Sequence, residues 1–164
     1  MKRFRRDGVK IKSPAQIDAM KAAGHLSAQA LEVVGSLMRP GVGTAELDAA
    51  AEKCIVETGG TPAFKGYGGF PATICASVND MVVHGIPSPD VILEDGDVVS
   101  IDTGAIVDGW VGDNAETFIV GTHDKQHQDL LSATLAAMWA GIDQAFPGNL
   151  SLIHISEPTR LRRI

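Results

Sequence analysis

The chain has 164 residues, 45% of them hydrophobic and 21% charged, with a formal net charge of −6. That balance is typical of a soluble globular domain of ordinary size, and no segment approaches the ~20 consecutive apolar residues that would span a membrane. Cys54 and Cys75 lack C-x-x-C spacing, which excludes a disulfide framework and a zinc ribbon.

The charge is unevenly spread. Six of the 14 bases lie in residues 1–12, as Lys2, Arg3, Arg5, Arg6, Lys10 and Lys12, and three more at Arg160, Arg162 and Arg163. Between Ser13 and Thr159 five bases face 19 acids, which is no footprint for specific nucleic-acid binding. The basic head has two readings, a contact with RNA or the ribosome surface and a solvated terminus. No apolar signal-peptide run follows it, so a cytoplasmic protein is expected.

Ser13-Pro14-Ala15-Gln16 predicts a helix start, with Ser13 as N-cap, Pro14 in the first turn and Gln16 closing a capping box. Ile17, Met20, Gly24, Leu31, Val34 and Met38 recur at helical spacing until Arg39-Pro40-Gly41. Thr44 is expected to cap a second helix through Leu47, Ala51, Cys54 and Ile55, ended by Gly59-Gly60. Lys65–Pro71 is a glycine-rich loop carrying Tyr67 and Phe70, without the G-K-[ST] ending of a phosphate loop. Thr73–Val78 and Met81–His84 are β-type runs around Asn79-Asp80 and suggest a hairpin. Two prolines mark Ile86–Pro89 as loop, and Glu94-Asp95-Gly96 is a turn. Val98–Val107 and Trp110–Val120 form a second hairpin around Asp108-Gly109, a strong two-residue turn signal. A third helix over Lys125–Phe146 has Leu131, Leu135, Met138, Ile142 and Ala145 on one face, and Pro147-Gly148 closes it. Helices grouped with antiparallel strands indicate an α+β fold rather than a doubly wound parallel sheet.

The tail, residues 150–164, has a different character. Its first 11 residues, Leu150–Arg160, match a read-through translation of a transposase adapter used in sequencing libraries. Such a segment is set aside from fold reasoning, the other reading being a natural strand containing Ile153 and Ile155.

Asp102 and Asp113 carry the chemistry. With a two-residue turn, Val107 faces Trp110 and Asp102 faces Ala115, which puts Asp113 on the same face as a diagonal neighbour, roughly 7–8 Å away between backbones. Both acids sit in apolar strand interiors, where aspartate is disfavoured. Two carboxylates aimed at one place repel and raise a pKa unless a cation intervenes, and hard divalent ions prefer oxygen donors. The competing reading is a pair of exposed turn acids. His84, at the end of a strand, says little alone.

The strings His84-Gly85-Ile86-Pro87, Gly96–Asp102, Asp108–Asp113 and Thr117–Gly121, in that order, resemble type I methionine aminopeptidase. The steps of 18 residues from His84 to Asp102 and 11 from Asp102 to Asp113 match that family, as do the Ser13–Ile17 and Arg39–Thr44 segments. The resemblance runs from about Val9 to Asn149. It implies the first half of a pita-bread fold over residues 13–149, a curved antiparallel sheet with helices packed on one face. It also implies two divalent metal ions, whether cobalt, iron, manganese or zinc, held by Asp102 as chelator and Asp113 as bridge together with His, Glu and Glu from a second half.

By the same resemblance His84 contacts the substrate and stabilises the transition state, and Tyr67, Phe70 and Cys75 line the pocket for a methionine side chain. The implied reaction is removal of the N-terminal methionine from nascent peptides near the ribosome, by a family that is usually monomeric. The general acid–base Glu of that reaction has no counterpart here, so the fragment alone is expected to be inactive. The alternatives are a proline-directed aminopeptidase of the same fold and a non-catalytic binding half-domain.

Overall fold

The computed structural model describes residues 10–149. The expectations for most of the basic head and for the 150–164 tail lie outside the described residues. The chain divides into two compact units, Met1–Thr122 and His123–Ile164.

In the first unit, α1 spans Pro14–Leu37 and opens as its sequence dictates. The Ser13 hydroxyl accepts from the Gln16 N–H, and the Gln16 side chain accepts from the Ser13 N–H at 2.9 Å. Its buried face agrees with the expected one at Leu31 and Val34 and differs from it toward the N-terminus. Ala23, Leu26, Ser27, Ala30, Leu31 and Val34 are buried, whereas Ile17 and Met20 are 45% and 39% exposed. The reason is a close approach to the sheet. A Cβ on Gly112 would lie 2.2 Å from the Ala23 carbonyl carbon, so the helix backbone rests directly on a strand and only small side chains fit beneath it. Asn114 secures the contact by donating to the Gly24 carbonyl at 3.1 Å and the Ser27 hydroxyl at 2.9 Å.

Helix α2 spans Thr44–Glu57. The expected cap, Thr44, is instead its first helical residue, and Gly43 takes the N-cap position with its N–H donating to Glu46 Oε1. The Thr44 hydroxyl is engaged elsewhere: it donates to the Ser88 carbonyl and accepts the Ser88 N–H. Gly59, at φ 89°, turns the chain out of the helix.

The sheet contains β1 (Thr61–Pro62), β2 (Ile74–Val78), β3 (Val98–Val107) and β4 (Trp110–Ile119), all paired antiparallel. β4 follows β3 along its whole length, so β1 and β2 share the opposite edge of β3 end to end. Asp108 and Gly109 both have positive φ, 49° and 79°, the type I′ turn whose twist suits a two-residue hairpin. Val107 therefore pairs with Trp110 and Asp102 with Ala115, the expected register.

The first expected hairpin does not form. β2 pairs with β3 rather than with Met81–His84, and Met81, Val82 and Val83 are exposed loop residues. Asn79 explains this. Its side chain accepts from the Val98 N–H and donates to Asp97, while its own N–H donates to the Val98 carbonyl. The turn residue is thus tied to the start of β3, which then takes the strand edge.

One face of the sheet supports the core. Val99, Ile101, Thr103 and Ala105 of β3 point toward α1 and α2, joined by Leu47, Ile55, Ile74, Leu93 and Val120. Burial of each large aliphatic residue contributes about 1.5–3 kcal/mol. The other face of β3 carries Ser100, Asp102 and Gly104.

In the second unit, α3 spans Lys125–Ile142, capped by the Asp124 side chain on the Gln126 N–H. It ends short of Phe146 because the ladder tightens to three-residue bonds at Gln144 and Ala145.

Candidate metal centre

The site is built on the face of the sheet opposite the helices. Alternation along β3 places Asp102 on that face between buried Ile101 and Thr103. Cys75 of β2 lies directly across from Asp102 on one side, and Ala115 of β4 on the other. Asp113 pairs with Gly104 and is therefore the diagonal neighbour of Asp102 on the same face. The next row along is Ser77, Ser100 and Thr117, with the last two hydroxyls 2.9 Å apart.

The electrostatics of this cluster are negative. Burial, and then the charge of Asp113, hold the Asp102 carboxyl above its usual range, while His84 pulls it the other way. Burial, followed by the charges of Asp102 and Asp113, pushes the Cys75 thiol up to about 11. Asp102 Oδ1 is buried without a hydrogen-bond partner. Among the described residues neither Asp102 nor Asp113 forms an ion pair. A buried carboxylate oxygen with no donor, beside a second carboxylate, is the environment that a divalent cation satisfies. The donor set is partial: no group of three or more His, Cys, Asp or Glu able to hold a metal occurs among the described residues.

Of the remaining expected site residues, Cys75 and His84 lie near this pair. His84 is exposed and adopts φ 58°, in the left-handed region. Cys75 is only 5% exposed. Tyr67 stands 82% exposed on a short helical turn, Tyr67–Gly69, within the glycine-rich loop, and Phe70 is half-buried. The loop is anchored at both flanks. Lys65 donates to both carboxylate oxygens of Glu52 at 2.7 and 2.8 Å, and Asp48 accepts the N–H groups of Thr73 and Ile74.

Two residues near the pair were not anticipated. Phe64 packs against Gly104, whose Cβ would lie 2.8 Å from its ring, beside the position of Asp113. The Ser77 hydroxyl accepts the Gly85 N–H at 3.1 Å. Phe64 lies just before the glycine-rich run and gave no periodic signal. Ser77 was hidden by the wrong choice of partner for β2.

The sequence profile of metallopeptidase family M24 matches residues 18–157, a range that ends inside the adapter-like segment. The chain is 49% identical over 138 residues to methionine aminopeptidase 1 of Mycobacterium tuberculosis, covering 84% of this chain and 52% of that relative. It is 42% identical over 137 residues to methionine aminopeptidase 1 of Bacillus subtilis, covering 84% and 55%. The chain thus spans about half the length of the curated relatives it matches. Among solved structures it is similar to methionine aminopeptidase from Rickettsia prowazekii, with a TM-score of 0.79 and 37% identity, covering 82% of this chain and 54% of that one. Prolidase from Pyrococcus furiosus, at a TM-score of 0.73 and 23% identity, shares the fold alone. These likenesses bear out the pita-bread architecture and its antiparallel sheet.

Proposed function

Since the chain belongs to metallopeptidase family M24, we propose that it carries the Asp102–Asp113 portion of a dinuclear methionine aminopeptidase, which removes the initiator methionine from nascent proteins. The observation that carries this reading is the orphaned Asp102 Oδ1 beside Asp113 on one sheet face. Asp102 and Asp113 would hold the cations, Asp102 as chelator and Asp113 as bridge. When bound, such ions supply positive charge that polarises a peptide carbonyl and acidifies a water. The chain's own residues would do the rest. Asp102, half-buried between Ile101 and Thr103, holds a carboxylate partly away from bulk water. His84, exposed beside β2, would donate a proton or a hydrogen bond to a substrate oxygen. Cys75, Phe70 and Tyr67 would supply the soft, partly aromatic contacts that pack on a thioether.

The donor set present is too small to hold two metals firmly, so turnover requires further ligands from a second half. The test is release of methionine from a Met-Ala-Ser peptide with manganese or cobalt. The 164-residue chain alone should release none, whereas a product in which the natural gene continues past Asn149 for about 120 codons should release it. Metal-dependent release by the short chain would contradict the need for a second half. Preference of the extended product for Ala-Pro peptides over Met-Ala peptides would favour a proline-directed enzyme instead.

A further inference from the structure

His84 has a left-handed backbone at φ 58°, a conformation that costs energy for a residue with a Cβ and persists only where its surroundings impose it. The imposing contact is at the next residue. Gly85 is buried against β2, where its carbonyl accepts the Ala76 N–H at 2.9 Å and its N–H donates to the Ser77 hydroxyl at 3.1 Å. A Cβ on Gly85 would lie 2.2 Å from the Ala76 carbonyl oxygen, so only glycine permits this approach. Ser77 is itself buried and lies on the sheet face of the carboxylate pair, one row from Cys75 and Asp102. Its hydroxyl links that face to the segment that carries the imidazole.

We propose that Ser77 is a positioning residue: by accepting the Gly85 N–H on the edge of β2 that β3 leaves free, it fixes the turn at His84 and sets where the imidazole stands relative to Asp102 and Asp113. The inference rests on the reading of that pair as a cation site with His84 beside it. The backbone bond from Ala76 to Gly85 places the segment along the strand but leaves it free to pivot about one contact. The Ser77 bond supplies the second point and removes the pivot. Threonine at this position keeps the acceptor and suits a strand, alanine removes it, and cysteine keeps the size with a much weaker acceptor.

The experiment uses the 164-residue chain with Mn2+ alone as the probe, and reads paramagnetic broadening of the imidazole proton signals. The chain has five histidines, and His84→Gln identifies the signal of interest. In the unsubstituted chain Mn2+ should broaden the His84 signal, and Asp102→Asn should remove the effect. Ser77→Ala and Ser77→Cys should each reduce the broadening several-fold, and Ser77→Thr should restore it. The cysteine variant keeps the test decisive if the alanine variant fails to fold. Unchanged broadening in Ser77→Ala or Ser77→Cys would overturn the positioning role while leaving the cation site standing. Broadening of signals from Cys75 and Ala115, with none at His84 in the unsubstituted chain, would overturn the placement of His84 and the inference with it.

Discussion

Asp102 is held above the usual carboxylate range by burial and by Asp113, so over the pH range just above 3.8 the native state without a cation binds more proton than the unfolded chain. Stability of the metal-free protein should therefore fall as pH rises from about 3.8 toward that raised value, the reverse of the trend for a salt-bridged aspartate. Cys75 adds the same sign at the alkaline end, where stability declines as pH rises from 9.0 toward about 11. Asp102→Asn removes one of two like charges, and relief of such a pair is worth ~0.2–1 kcal/mol, or about 1–4 °C in Tm for a chain of this size. Thermal melts at pH 7 without metal should show that gain. A lower Tm for the variant would mean that the carboxylate is already stabilised by protein groups, and the metal reading would lose its physical basis. The sequence made this residue legible because its strand is mostly apolar. It could not reveal the orphaned Oδ1, which depends on which donors the packed strands bring to that atom.

At the scale of elements, the Asp108-Gly109 hairpin was fully legible. Two residues able to take positive φ fix the turn, the turn fixes the register, and the register places Asp113 diagonal to Asp102. The partner of β2 was not legible. Alternation says which face of a strand is buried, but it does not say which strand lies alongside, and Asn79 decided that by bonding to Val98 and Asp97. The buried face of α1 was legible at Leu31 and Val34 but not in its first half, for a related reason. Large apolar residues dominate a periodicity count, whereas the contact with β4 is made by Ala23, Gly24 and Ser27 around Gly112. Gly112→Ala should cost about 3 kcal/mol, the upper end for overpacked sites, because the added methyl meets backbone that cannot yield. A urea denaturation midpoint unchanged by this substitution would show that α1 does not approach the strand so closely.

At the scale of the whole molecule, the sequence strings alone indicated the architecture, and the likeness to solved methionine aminopeptidases agrees with it. What remains partial is the donor set. On the proposed reading Asp102 and Asp113 would give a cation a foothold, but a site of high affinity needs more ligands in fixed geometry. The central claim is that Asp102 and Asp113 together bind a divalent cation. Calorimetric titration of Mn2+ into the chain and into the Asp102→Asn/Asp113→Asn double variant tests it most directly. The account predicts weak, saturable binding to the unsubstituted chain that the double variant loses. Equal binding by both would place the cation on other acids and contradict the claim.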